Sequence, residues 1–327
     1  MKISDELYGE YELKDQVLID LIQSKELQRL KEIHMAGPAY LLNPVWNETR
    51  YEHSIGVMLL IKKLGGSLEE QIAGLLHDVS HTAFSHLIDF VLDKKEENFH
   101  EEIKLDFISK SGIPNILKNH GYDYKKLLLD DTQWAILEQS APALCADRVD
   151  YTLREVHRYY DVPLHEIHSF LNSLKQLKGQ MVLDELIWGE WFVEQYNKVV
   201  VDFFYEPLNI YSNYLLKQVI HYAMNQEIIS ESDFLLTDNG LLQKIQSADS
   251  WEIKCLLDFL QQPPDLKITG AGEDFDIFHQ TKSRSVDPFI LVSEEIVTTS
   301  EKSIQAKRQI QKAIRRGEEG LYLKIQQ

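Results

Sequence analysis

A chain of 327 residues, 44% of them hydrophobic, can bury one large core plus a smaller lobe, and no apolar run approaches the roughly eighteen residues of a membrane span. No basic-then-apolar start reads as a secretory signal, and two cysteines, Cys145 and Cys255, give no disulfide framework, so a cytoplasmic setting is expected. The formal net charge of −18 excludes general nucleic-acid binding, which needs a basic surface to release counterions, although a small polyphosphate needs only a local cluster of cations.

In chain order, residues 14–34, 53–65, 67–78, 81–93, 100–110, 132–158, 163–175 and 190–226 carry the pattern of helices, which predicts a mainly α core. The run after His53 stops at Gly65-Gly66, a C-terminal cap. Ser67 opens the next helix, and Glu70 three residues on completes a capping-box pattern. His77 and Asp78 then fall in the last turn of that helix, with His81 nearby whether the helix continues or turns. Cys145, two residues before Asp147 on a helix, points away from it and reads as buried packing. Asp147, Tyr151 and Glu155 recur every four residues over 141–160, so one stripe of that helix faces a cleft. Arg154 reads as an exposed salt bridge on the same helix as Glu155.

The pattern is less helical over 180–187 and 265–295. Phe275-Asp-Ile-Phe278 and Pro288-Phe-Ile-Leu-Val292 look like short strands, while Gln262-Pro-Pro-Asp and Thr269-Gly-Ala-Gly mark loops. Lys282-Ser-Arg284-Ser-Val-Asp287-Pro288 reads as a charged strand entrance, and residues 303–316 as a basic amphipathic helix that packs or faces a dimer partner. The expected division is a helical core over 1–230 and a small mixed α/β C-terminal lobe over 231–327. No internal repeat is visible.

The chemistry concentrates in Arg50-Tyr-Glu-His53, in His77-Asp78-Val-Ser-His81-Thr-Ala-Phe-Ser-His86-Leu-Ile-Asp89, and in Asp147-Arg148-Val-Asp150-Tyr151. A lone His-Asp pair would be a surface or capping feature. So many His and Asp residues among Leu/Ile/Val-rich helices are costly to bury without partners. His53, His77, Asp78 and Asp147 make two imidazoles and two carboxylates, a set that suits a borderline or hard divalent ion and leaves positions open for water or substrate. Arg50, three residues before His53, shares its helical face.

With Tyr8-Gly9-Glu-Tyr-Glu-Leu13, Ser24-Lys-Glu-Leu-Gln-Arg29 and Phe99-His100-Glu101, these motifs fall in the order seen in the HD-domain metal-dependent phosphohydrolases. Within that superfamily the chain most resembles the deoxynucleoside triphosphate triphosphohydrolases, over about the first 160 residues. The resemblance implies an HD-domain helical core and one divalent metal per chain (Mn, Fe, Ni, Zn or Mg), with His53, His77, Asp78 and Asp147 as ligands. It implies substrate binding by Arg50, His81, His86, Arg148 and Tyr151, and His100 as proton donor to the leaving oxygen, oriented by Asp89. The implied reaction is attack of activated water on the α-phosphate, releasing nucleoside and triphosphate. A nucleotide or other phosphorylated small molecule is the expected partner, without stable nucleic-acid or membrane binding, in a homo-oligomer.

Two departures concern the substrate. Met35 stands where the family reads the sugar 3′-hydroxyl with a glutamine, and a thioether is no strong hydrogen-bonding group. Glu206 or Pro207 stands where an arginine grips the outer phosphates, and Leu215 where a tyrosine stacks on the sugar, with Tyr211 and Tyr214 as substitutes. Two alternatives follow: a two-metal phosphodiesterase or nucleotidase with His100 and His120 on the second ion, or a non-catalytic nucleotide sensor.

Overall fold

The computed structural model describes residues 1–326. The chain opens with a hairpin of β1 (Lys2–Asp5) and β2 (Gly9–Glu12), whose turn is held by Asp5 Oδ1 accepting from the Leu7 and Tyr8 amides. The helix expected over 14–34 is divided into α1 (Gln16–Ile22) and α2 (Lys25–Arg29). Ser24 causes the break: its hydroxyl donates to the Leu21 carbonyl and accepts from the Leu27 amide, so it caps a new helix.

Next come α3 (Arg50–Lys63) and α4 (Leu68–Leu76), two buried helices packed against each other. The full capping box belongs to α3, through Thr49 and Glu52. In α4, Ser67 caps as expected, but the Glu70 carboxylate turns away to accept from the Ile136 and Leu137 amides, fixing a distant loop. The helix expected over 81–93 shrinks to α5 (Leu87–Val91). Ahead of it Phe84 and Ser85 sit at φ 59° and 53°, and the Ala83 and Phe84 amides bond to the Phe234 carbonyl and Asp238 carboxylate, so the turn is specified from far along the chain.

Then follow α6 (Phe99–Ser109), α7 (Ile113–Asn119), α8 (Tyr124–Leu128), α9 (Ala146–Tyr160) and α10 (Leu164–Ser173). Helix α9 begins at Ala146, later than 132. β3 (Leu174–Leu177) and β4 (Gln180–Leu183) precede α11 (Leu186–Asn197), a π-helical stretch Lys198–Phe203, and α12 (Pro207–Asn225). Last come α13 (Asp238–Gln246), α14 (Trp251–Gln261), β5 (Leu266–Thr269), β6 (Ile277–His279), β7 (Phe289–Val292), β8 (Glu295–Thr298), α15 (Thr299–Lys302), α16 (Ile304–Glu319) and β9 (Leu321–Ile325). Both strands expected in the C-terminal lobe are present, and the fold is mainly α with small sheets.

One sheet has the order β3-β4-β7-β8, with β4 and β7 parallel, and another the order β5-β9-β6. The first sheet joins segments from both sides of residue 230, so the expected lobe and core share their strands. Two large hydrophobic clusters fill the molecule, one around α3, α4, α9 and α11, the other around α5, α12, α14, β6 and β9, with a small third one at Ala39, Trp46 and Phe203. No helix among the described residues is long and apolar enough to cross a membrane.

Candidate metal and phosphate site

A cavity of about 880 Å³ opens where the end of α4 meets the N-terminal turns of α3 and α9, between the two clusters. His77 is the C-cap of α4, Asp78 follows it, Asp147 lies in the first turn of α9, and His53 lies in the second turn of α3, fully buried behind them. His53 Nε2 is 3.0 Å from Asp147 Oδ1, 3.2 Å from His77 Nε2 and 3.7 Å from Asp78 Oδ2, and His77 Nε2 is 3.5 Å from Asp147.

The other ring nitrogens explain this convergence. His53 Nδ1 donates to Asp150 Oδ2 at 2.9 Å and His77 Nδ1 donates to the Gly74 carbonyl at 2.7 Å. Those bonds set the ring orientations and turn both Nε2 atoms toward Asp147, with a proton on His53 Nε2 that a divalent cation would displace. Two imidazole nitrogens and the Asp147 carboxylate within 3.5 Å of one another, with Asp78 3.6–3.7 Å from both rings, need a cation among them, and borderline N/O donors of this kind fit a divalent ion. Burial pulls His53 down, but hydrogen bonds to Asp147 and Asp150 overcome it and hold the ring at about 10. Burial pushes Asp78 up, yet His77 and Arg50 hold it well below the carboxylate range. The pocket is thus built to carry positive charge.

Arg50, buried, donates from Nη1 to Asp78 at 2.7 Å and from Nε to Ser85 at 2.9 Å, so it braces a ligand as well as lining the cavity. His81 and His100 stack at 3.8 Å with His86 edge-on to both. Both ring nitrogens of His81 and Nδ1 of His100 are buried without a hydrogen-bond partner. Asp89 accepts from His86 Nδ1 at 3.1 Å and from the Phe99 amide at 2.9 Å. The expected pairing of Asp89 with His100 is therefore corrected: Asp89 orients His86, three residues away. Burial draws His100 down to about 3, with His86 adding to the effect, so its ring is neutral here rather than poised near neutrality.

Asp147, Tyr151 and Glu155 all face the cavity, as their spacing implied. Arg148 lines it too, its Nη1 bonded to the Gln139 and Ala143 carbonyls and Cys145 Sγ, while the Tyr151 hydroxyl donates to Tyr196 at 3.3 Å. Cys145 is buried as expected but is the N-cap of α9, with its thiol close to Glu138 and Asp147 rather than pointing away. Arg154 is not an exposed partner of Glu155. It is buried, with Nε 2.9 Å from Asp150 and Nη2 2.7 Å from Asp5. Gly56 of α3 makes room for it, since a Cβ there would lie 2.0 Å from both Arg154 and Asp150. Behind His53 burial pushes Glu155 up to about 8.

Met35 does line the cavity, whereas Glu206 caps α12 and neither it nor Pro207 reaches the cavity wall. Leu215 and Tyr211 are core residues, and His120 pairs with Asp20 at 2.7 Å outside the cavity. Sequence reasoning missed Asp150 as the orienter of His53, though its position one turn after Asp147 was a signal. It also missed Glu138 and Glu97, which no local pattern marks, and it read Lys282-Ser-Arg284, which lines the cavity, as a charged strand entrance.

His279, on the same cavity wall, is drawn down to about 4 by burial. Its unfolded value is near 6.5, so its contribution to stability is present above pH 6.5 and lost as pH falls toward 4. His53 is shifted the other way; its contribution is fully present below 6.5 and adds no slope there. Between pH 7.5 and 5.5, His279→Phe is expected to remove about 1 kcal/mol of the pH dependence seen in urea unfolding. An unchanged slope would show that the ring protonates freely in the native state.

The HD domain family model matches residues 50–155. The uncharacterized protein YdhJ of Bacillus subtilis is 44% identical over 99% of this chain and 99% of its own. The metal-dependent phosphohydrolase cns2 of Cordyceps militaris is 37% identical over 53% of this chain and 50% of its own. The deoxynucleoside triphosphate triphosphohydrolase SAMHD1 of Xenopus laevis is 32% identical over 45% and 26% respectively, so the chain spans half or less of these last two proteins. A crystal structure of a hypothetical protein from Aquifex aeolicus shares the fold, with a TM-score of 0.70 and 22% identity over 96% of this chain and 99% of that one. Side-chain geometry, family match and full-length similarity lead to one conclusion: the chain belongs to the HD-domain superfamily of metal-dependent phosphohydrolases.

Proposed function

We propose that the substrate is a nucleotide, hydrolysed in the manner of a deoxynucleoside triphosphate triphosphohydrolase, at the α-phosphate with release of nucleoside and triphosphate. The observation that carries this reading is the convergence of His53, His77, Asp78 and Asp147 beside His81, His86, His100, Arg148 and Tyr151 on one cavity. The similarity to SAMHD1 over part of the chain supports the nucleotide. In this reading His53, His77, Asp78 and Asp147 hold one divalent ion. When bound, such an ion polarises a phosphoryl oxygen and acidifies water.

The chain's own residues do the rest. His81, whose Nε2 lies 3.4 Å from Asp78 and whose Nδ1 has no partner, offers Nδ1 to the phosphate. Arg148 keeps its full charge, because its shorter contacts are to carbonyls and a thiol and Glu138 lies 3.8 Å away. Asp89, held ionised, stabilises a proton arriving on the far nitrogen of His86. His100 donates to the leaving oxygen only after a phosphate anion has raised its affinity for a proton.

Asp78 Oδ1 also lies 3.4 Å from His81 Nε2, and Asp78, His81 and His100 lie close enough to share an ion, which favours two metals as the second reading. His120 takes no part in it. Incubation with dNTPs, NTPs, nucleoside monophosphates and cyclic nucleotides plus Mn²⁺ is expected to release triphosphate from dNTPs, with loss on adding EDTA. Turnover of cyclic nucleotides with two ions per chain by elemental analysis would instead establish a phosphodiesterase, and binding without turnover a sensor.

A further inference from the structure

The C-terminal lobe reaches into the cavity. The stretch Thr281–Ser285 lines the same space as His77, Asp78 and Asp147. It has no regular secondary structure, yet its backbone is clamped. Gln280 Nε2 donates to the Gly317 and Glu318 carbonyls, and α16 passes so close that a Cβ on Gly317 would lie 2.6 Å from Ser283 Cα. Arg284 is therefore delivered from a fixed position. Its guanidinium donates to Glu97 and to the Lys282 carbonyl, and lies 5.3 Å above the Phe204 ring. Glu97, buried and at φ 52°, also accepts from the Lys282 amide.

These contacts occupy only part of a five-donor fork. Of the other guanidiniums on the wall, Arg50 is paired with Asp78, and Arg148, next to Asp147 in the chain, bonds to the Gln139 and Ala143 carbonyls. Where the resemblance would put an outer-phosphate arginine, the chain has a helix-capping glutamate outside the cavity. At about 880 Å³ the cavity has room for more than one phosphoryl group, and Arg284 lines it together with His77, Asp78 and Asp147.

We infer that Arg284 is a substrate-contacting residue that binds the outer phosphoryl groups of a polyphosphate whose reacting phosphate lies at the His53, His77, Asp78 and Asp147 cluster. Glu97 and Phe204 hold the guanidinium in orientation, and the Glu97 charge restrains its grip on anions. The inference rests on the phosphohydrolase reading above. Polyphosphate chemistry is common to a nucleoside triphosphate and to free tripolyphosphate, so both serve as probes.

The test is calorimetric titration of the full chain, in excess Mn²⁺, with tripolyphosphate, orthophosphate, dGTP and dGMP. Arg284→Ala is expected to weaken tripolyphosphate and dGTP about tenfold and leave orthophosphate and dGMP within about twofold. Arg284→Lys falls between, because it keeps the charge and loses the fork. Glu97→Gln is expected to tighten tripolyphosphate and dGTP about threefold, since it keeps the shape and removes the opposing charge. A purely structural latch predicts the same sign for both substitutions, so weakening by Glu97→Gln overturns the inference. So does unchanged polyphosphate binding in Arg284→Ala, or a wild-type chain that binds tripolyphosphate no better than orthophosphate. If Arg284→Ala does not fold, the Lys and Gln variants decide. Arg284-dependent polyphosphate binding without nucleotide turnover would refute the nucleotide reading alone, and dNTP turnover indifferent to Arg284 would refute this one alone. Preference for dGTP or for tripolyphosphate in the wild type identifies the source of the ligand.

Discussion

Asp78→Ala is expected to lower phosphohydrolase turnover by at least on the order of 10³-fold and to leave the purified chain without its metal. Two consequences compound. The substitution removes one of the two carboxylates that balance the ion's charge. It also strips the partner from Arg50, whose guanidinium lies buried 2.7 Å from Asp78, and places an unopposed positive charge beside the ion position. Asp78→Asn separates the two effects, since it keeps an acceptor for Arg50 while losing the ligand charge. Elemental analysis beside initial rates is the measurement. Wild-type rates with wild-type metal content in Asp78→Ala would remove Asp78 from the site.

The second large effect is on stability. Arg154→Ala is expected to cost about 3–5 kcal/mol in urea unfolding, because it leaves Asp150 and Asp5 as uncompensated charges in the interior. Surface ion pairs contribute far less, and the distinction decides the size here: Arg154 is 2% exposed and Asp150 is not exposed at all. The double change Arg154→Met with Asp150→Asn is expected to recover part of the loss, since it deletes the Asp150 charge and leaves only Asp5 unpaired. A cost below about 1 kcal/mol in Arg154→Ala would mean that water reaches the pair. Because Asp150 also holds His53 Nδ1, the single variant is expected to loosen the metal ligand as well.

Much of the site was legible because its chemistry is local. His77 and Asp78 are adjacent, His81, His86 and Asp89 follow within a few residues, and Asp147, Tyr151 and Glu155 share one helical stripe. What escaped was set at a distance. Phe84 and Ser85 adopt positive φ because Asp238 and Phe234 hold the neighbouring amides, so a stretch with helical spacing becomes a turn. Arg154 looked exposed because its partner Asp5 lies in a hairpin 149 residues earlier, and because Gly56 leaves room for it. Asp89 has two histidines within reach in sequence, and nothing short of coordinates selects His86 over His100. Arg284 fell in a stretch read as a charged strand entrance, and nothing local pairs it with Glu97, which lies 187 residues earlier.

The parallel pairing of Val182 with Phe289 and Leu183 with Ile290 bears on how the molecule is made. During synthesis β4 emerges with only β3 beside it, and its other side presents unpaired amides and carbonyls until the far end of the polypeptide arrives. Closing that gap costs loop entropy before any bond repays it, so the nascent chain carries an open strand for most of the time that the ribosome spends on its second half. That open edge lies away from the candidate metal ligands, all four of which have been translated before β4 is complete.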